Sequence, residues 1–472
     1  MELQLVHVGT AGTFKPSGKY KTSLNDIDNF FNQLQARQPD SLVLHFHGGL
    51  VSEEGGVRNA KAISPVFQAA GAMPISFVWE TGFIETIIQN LERINQTVLY
   101  QKLLKWLLRR IAQRFHSFNQ RGSSIAIKLS MIEEELTKPE PFATYDKALV
   151  DSDAAARGGV AVHEEDLEFL NAELQAEFEE DVNADESVLD EFSTYAGTLP
   201  DAEARGLVDI QLAKILASVA YRVIRRHLQD RDHGFYPTVV EELLRELYLD
   251  DLGAWVWSSM KKKAEAMWLP NDGINGDERH VGSYILEKLI SLQASLPEIR
   301  IDLIGHSAGS IAICELLRAA AERYGALRIN TIVFLAPAGR SELGVDELAR
   351  HPERFRKFRC YTMDDHYEKE DKLVPMIYTR SLLYLISGVL EADEVDAPIM
   401  GMMRHASGQG PYTSSPAAEW AEFIRANERL VLSDSSELDP GAKPGRRSTS
   451  RAHGDFEKDE STRESLTHLL HI

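Results

Sequence analysis

The sequence predicts an α/β protein: an open, mostly parallel β-sheet flanked by helices, with a large helical domain inserted as a cap. Three observations carry this. The stretch Ile301-Asp302-Leu303-Ile304-Gly305-His306-Ser307-Ala308-Gly309 begins as a buried strand, reaches Gly-x-Ser-x-Gly, and runs into Ser310–Arg318, which has helical periodicity. Strand and helix patterns alternate at both ends of the chain, and such alternation calls for a parallel sheet. Between those ends, residues 83–269 read as helix formers where a minimal fold needs about one connecting helix.

Taken in order, Leu3–Val8 alternates as a first strand, and Asp26–Ala36 follows with Ile27, Phe30, Phe31 and Leu34 on one helical face. Ser41–Phe46 is a strongly apolar strand that ends in His47-Gly48-Gly49-Leu50, and Pro74–Trp79 is the next strand. Beyond the Gly-x-Ser-x-Gly helix come strands at Arg328–Leu335, Arg356–Met363 and Arg429–Ser433, then a terminal helix over Ser461–Ile472. The expected division is a core from 1–82 and 270–472, with the cap at 83–269.

Composition sets outer bounds. With 472 residues, 43% hydrophobic and 26% charged, the chain can bury a large core plus a second domain. A formal charge of −21 argues against nucleic-acid binding, since backbone phosphates would be repelled. Neither a signal-peptide pattern nor a membrane-length apolar run is present, so a soluble cytoplasmic protein is expected. The two cysteines, Cys314 and Cys360, show no zinc spacing, and no metal or other cofactor is expected.

The insertion has three textures. Leu99–Phe115 is a basic amphipathic run, with Lys102, Lys105, Arg109, Arg110 and Arg114 beside Leu103, Leu104, Leu107, Leu108 and Ile111. Such a helix either packs on its own domain or lies on a membrane or lipid surface. Residues 151–205 are strongly acidic, a solvated face rather than a metal cluster, because no calcium-loop pattern occurs. Residues 207–268 return to helix, with Trp255, Trp257 and Trp268 available for the domain's own core or for an acyl pocket.

A strand that breaks sharply into a helix at Gly-x-Ser-x-Gly is the geometry of a nucleophile elbow, which exposes an activated serine hydroxyl. On this element, and on the strand ending in His47-Gly48-Gly49, the chain resembles the α/β-hydrolase superfamily over residues 1–82 and 275–472. The resemblance implies a serine, an acid and a histidine in that chain order. Ser307 would be the nucleophile, and the main-chain N–H groups of Gly49 or Leu50 and of Ala308 would face the oxyanion.

The acid is expected after the strand Arg356–Met363, where Asp364, Asp365 and Asp371 compete. Asp371-Lys372-Leu373-Val374-Pro375 is similar to the Asp-x-x-Val-Pro ending of that family, which favours Asp371, with Asp364 as runner-up. The base must lie further on: His405, His453, His468 and His471 qualify by order. His453, in a glycine-bearing loop just before the closing helix, stands where the superfamily carries its histidine, and His405 is second.

The expected function is therefore a serine hydrolase acting on a carboxylic ester or other small acyl substrate through a covalent acyl-enzyme. Lipase-like action at a lipid surface through 99–115, peptide hydrolysis, and a non-catalytic binding protein on the same scaffold are the alternatives.

Overall fold

The computed structural model describes residues 4–48, 52–79, 83–118, 129–146, 164–195, 202–325, 327–391, 393–408, 410–413, 416–433 and 443–471. The chain folds into two compact units, one of Met1–Thr86, Trp255–Asp371 and Ala397–Ile472, the other of Ile87–Ala254 and Lys372–Asp396.

The first unit is built on a seven-stranded sheet: β1 (Gln4–Val8), β2 (Ser41–Phe46), β3 (Met73–Trp79), β4 (Arg300–His306), β5 (Ile329–Leu335), β6 (Phe355–Thr362) and β7 (Leu430–Leu432). Its order is β1-β3-β2-β4-β5-β6-β7. Every pairing is parallel. Strands covered on both faces are apolar throughout, and β2 and β3 are buried at every position. This is the α/β class that the alternating pattern calls for.

One face of the sheet is covered by the helices Glu53–Ala69 and Glu460–His471, which enclose Val43, Ile63, Phe67, Ile304, Val333, Tyr361 and Leu466 in a single apolar cluster. The helix Gly309–Arg323 packs on β2 and β4, and the helix Val281–Ser295 packs against it and against Leu24–Arg37. Ser23 caps that last helix with a full capping box to Asp26, as its position before the apolar stripe requires. Trp268, at the end of the stretch read from sequence as insertion, lies against Phe46 and Phe77 of the sheet.

Strand order locates the site. After β2 the chain moves to β3 on one side, and after β4 it moves to β5 on the other. The connections diverge between these two neighbours, which makes their carboxyl ends the switch point where ligands of such sheets bind. Gly48 and Ser307 follow β2 and β4 there.

The second unit is helical. Its basic helix, Val98–Phe118, buries Leu103, Leu104, Leu107, Leu108 and Ile111. Its cations meet carboxylates of the same unit: Lys102 with Asp185 at 2.9 Å, Lys105 with Glu133 at 3.5 Å, Arg109 and Arg110 with Asp181, and Arg114 with Glu173 at 2.8 Å. Most of these partners lie on or beside the acidic helix Glu164–Asn183, so the two charged textures are two sides of one seam.

A second polar network is fully buried. Arg226, from the helix Ala202–Leu228, binds Glu241 at 2.8 Å and Glu242 at 3.0 Å. Both ring nitrogens of His233 face carboxylate oxygens, Glu241 at 2.7 Å and Asp396 at 2.9 Å. The Tyr378 hydroxyl donates to Glu241 at 2.7 Å. Charges of both signs and matched hydrogen bonds make such burial tolerable. Through Tyr378 and Asp396 the network ties Lys372–Asp396 into the helical unit. Among the described residues no helix is long and apolar enough to cross a membrane.

Candidate active site

The elbow is set by local geometry. Ser307 leaves β4 with φ of +52°, a conformation that L residues avoid and that costs about 1–3 kcal/mol. Surrounding hydrogen bonds hold it there. The Ser307 N–H donates to Leu335 O at 2.8 Å, and its carbonyl accepts from Ser310 Oγ at 2.7 Å and from the Ala338 N–H at 3.1 Å.

Both glycines of the motif have a packing reason. A Cβ on Gly305 would lie 2.8 Å from the Gly309 carbonyl, and one on Gly309 would overlap the carbonyl oxygen of Phe46. The Phe46 main chain is not a flexible side-chain tip and cannot give way cheaply. Gly309→Ala is therefore expected to destabilise the first unit by about 3 kcal/mol, the cost of overpacking a filled site. A lowered melting temperature with loss of near-ultraviolet dichroism would register it, and an unchanged melt would contradict the packing argument.

The end of β2 comes close behind Ser307. A Cβ at Gly48 would stand 3.3 Å from the Ser307 Cβ, so the absence of a side chain lets this strand end approach the serine. His47 is buried there, its Nδ1 2.6 Å from the Gly48 oxygen and its Nε2 accepting the Trp79 N–H at 3.3 Å. Burial lowers its pKa to about 4, opposed in part by the hydrogen bond to the Gly48 oxygen, so the neutral ring shapes the turn. Gly49 and Leu50, expected to offer an oxyanion N–H, lie outside the described residues. Ala308, the other expected donor, is the N-cap residue of Gly309–Arg323, and its N–H has no carbonyl of that helix to bond.

The loop before the terminal helix brings His453, the expected base, to Ser307. His453 Nε2 lies 2.9 Å from Ser307 Oγ, and both side chains are buried. Burial and, second, the neighbouring His306 lower the His453 pKa to about 3, which keeps its ring neutral. If Nε2 accepts the serine proton, Nδ1 carries the ring hydrogen. Nδ1 is buried and has no hydrogen-bond partner among the described residues.

The expected acid enters differently from the sequence reading. Asp371 reaches His453, but its Oδ2 accepts the main-chain N–H at 2.8 Å and not the ring Nδ1. Burial raises the Asp371 pKa, offset in part by that N–H. The competing carboxylates are engaged elsewhere. Asp364 caps the short helix Asp365–Glu370 by accepting the Tyr367 N–H at 2.9 Å, and Asp365 pairs with Lys369 at 2.7 Å.

The other histidines have separate settings. His405 Nδ1 accepts the Ile399 N–H at 2.9 Å, and its ring stacks edge-on against Tyr412. His468 and His471 belong to the last turn of the terminal helix.

A group that sequence reasoning missed lies beside His453. Glu457 Oε1 is 2.9 Å from His45 Nε2 and 3.6 Å from His306 Nδ1, and His306 Nε2 is 2.9 Å from the His453 carbonyl oxygen. All three side chains are buried. Burial pulls His306 down, but the Glu457 carboxylate outweighs it and raises the pKa. Glu457, which burial alone would raise, is held well below the usual carboxylate range by the two imidazoles. The available signals were the position of His306 inside Gly-x-Ser-x-Gly and of Glu457 four residues after His453 in the same loop.

Comparisons with protein families, curated proteins and solved structures gave no match.

Proposed function

We propose that this protein is a serine hydrolase that cleaves carboxylic esters through an acyl-enzyme. The observation that carries the reading is the 2.9 Å approach of His453 Nε2 to Ser307 Oγ at a positive-φ turn between β4 and its helix. In this scheme Ser307 Oγ attacks the ester carbonyl carbon while His453 Nε2 takes its proton. The carbonyl π pair moves onto oxygen, faced by the Ala308 N–H at the positive end of a helix. Collapse of the tetrahedral intermediate expels the alcohol, which receives the proton from His453. Water, deprotonated by the same imidazole, then attacks the acyl carbon; the bond to Ser307 Oγ breaks, the carboxylic acid leaves, and His453 returns the proton to Ser307.

Asp371 serves by anchoring the main chain of the base. No cofactor enters this chemistry. The lipid-surface alternative rests on the cations of 99–115, and each of these faces a carboxylate of its own unit.

The direct test is labelling with a small fluorophosphonate, followed by peptide mapping. Adduct on Ser307 supports the reading, and folded protein that takes up no label at any pH contradicts it. The pH dependence adds a sharper expectation. A base with a pKa of about 3 stays neutral from pH 8 down to pH 5, so the labelling rate should be nearly flat across that range. An unshifted histidine would lose reactivity about 30-fold over the same interval. A midpoint near pH 6.5 in folded protein would show that the ring is solvated and becomes protonated, and so inactive as a base, below that pH.

A further inference from the structure

Two main-chain contacts fix the base. The N–H of His453 donates to Asp371, and its carbonyl oxygen accepts from His306 Nε2 at 2.9 Å. The ring itself receives no support at Nδ1 among the described residues. What aims Nε2 at Ser307 is thus the placement of the His453 peptide units, and one of their two anchors is the residue that immediately precedes the nucleophile.

We propose that His306 is a positioning residue for the catalytic base, holding the His453 carbonyl while Glu457 and His45 fix the His306 ring. The proposal rests on the serine hydrolase reading and extends it to three side chains outside the expected triad.

The arrangement has a mechanical logic. His306 is the last residue of β4, buried in the sheet, so its ring starts from a rigid strand. Glu457 stands between that ring and His45, which comes from the neighbouring strand β2. His45 is steadied in turn by Ser76 Oγ of β3, 3.2 Å from Nδ1. Three adjacent strands therefore hold one carboxylate of the loop that carries the base. The loop is pinned four residues beyond His453 through Glu457, and at His453 itself through the carbonyl.

The charges agree with this role. Glu457 is anionic, and its carboxylate raises the His306 pKa; His306 Nε2–H donates to the His453 oxygen at 2.9 Å, while Nδ1 faces Glu457 at the ion-pair distance of 3.6 Å, beyond hydrogen-bond reach. A donor that carries charge makes the stronger hydrogen bond. His47 and Lys458 are the further cationic or titratable neighbours, His47 neutral by burial and Lys458 on the solvent side of the turn.

Positioning differs from simple structural support in what it changes. A base misplaced by a fraction of an ångström lowers the rate of the bond-forming step without altering probe binding, an effect that reaches on the order of 10- to 100-fold. The test measures the saturating rate constant and the half-saturating concentration for a small fluorophosphonate on the full-length wild type, His306→Ala and His306→Gln, with melting temperatures alongside.

His306→Ala is expected to lower the saturating rate constant 10- to 100-fold with an unchanged half-saturating concentration. His306→Gln keeps an N–H donor at the same reach and is expected to recover most of the loss. Glu457→Gln, nearly isosteric, serves if the alanine protein does not fold, and should slow the same constant. An alanine variant that labels within twofold of wild type overturns the proposal, as does a glutamine variant no better than alanine, or a fall confined to the labelled fraction. If wild type itself takes no label, the hydrolase reading fails first and the role of His306 goes with it, a result distinct from labelled wild type with indifferent variants.

Discussion

Ser307→Ala is expected to abolish fluorophosphonate labelling and to lower ester hydrolysis on the order of 10⁴- to 10⁶-fold, the range seen when a serine nucleophile that acts together with its base is removed. The size of the loss follows from the site. Ser307 Oγ is the hydroxyl facing His453 Nε2, and the strained turn that presents it has no second hydroxyl in the same place. Ser310, one turn on, is committed to the Ser307 carbonyl through its own Oγ. Folding should hardly change, because alanine keeps the Cβ and loses only one hydrogen bond, a contribution of about 1 kcal/mol. The measurement pairs an ester panel with a thermal melt. An alanine protein that still labels would put the nucleophile elsewhere and leave Ser307 with a structural role.

Arg226→Met is the substitution expected to damage stability most. Arg226 is almost fully buried and is shared by Glu241 and Glu242, both of which are at 0% exposure. Removing one partner from a buried ion pair leaves carboxylate charge without its counter-ion, which costs about 3–5 kcal/mol. His233 and Tyr378 still serve Glu241, and Arg222 still serves Glu242 at 2.7 Å, so the loss should fall within that range and not beyond it. Native-state hydrogen exchange would locate the effect: amides of Ala202–Leu228 and Phe235–Leu247 should exchange faster, while those of β4 and β5 keep their protection. A uniform response across both units, or none, would show that the network does not govern the helical unit.

The strands were legible because a parallel sheet covered on both faces needs apolar runs, and runs such as Ser41–Phe46 and Ile329–Leu335 have few other uses. Ser307 was legible because a strand, a tight glycine turn and a helix leave their marks within the eighteen consecutive residues Ile301–Arg318. The nearness of His453 to it could be guessed from loop context, since the terminal helix must dock on the sheet and carries the preceding loop with it.

What the sequence could not express is which atom meets which. Asp371 stood out by residue type, yet whether its carboxylate takes a ring N–H or a main-chain N–H depends on the path of two loops. His45 and Glu457 are separated by 412 positions, and nothing local marks them as partners. The same holds in the helical unit. The basic run and the acidic segment read as two separate surfaces because the register that joins Arg109 and Arg110 to Asp181 is a tertiary fact. The membership of Lys372–Asp396 in that unit depends likewise on contacts to Glu241 and His233, more than a hundred residues upstream.

That last segment bears on how the chain is made. Synthesis runs from the amino terminus, and domains ordinarily fold as they emerge. Residues 87–254 leave the ribosome with Glu241 and His233 already present but with Tyr378 and Asp396 still unsynthesised. The helical unit must therefore wait, part-assembled, while β4, the elbow, β5 and β6 are translated. Its polar centre closes only after Asp396 appears, and His453 follows later still. A nascent chain arrested before that point would hold the Ser307 turn but neither a finished helical unit nor His453, so on the serine hydrolase reading proposed above its reactivity would wait until residue 453 is made.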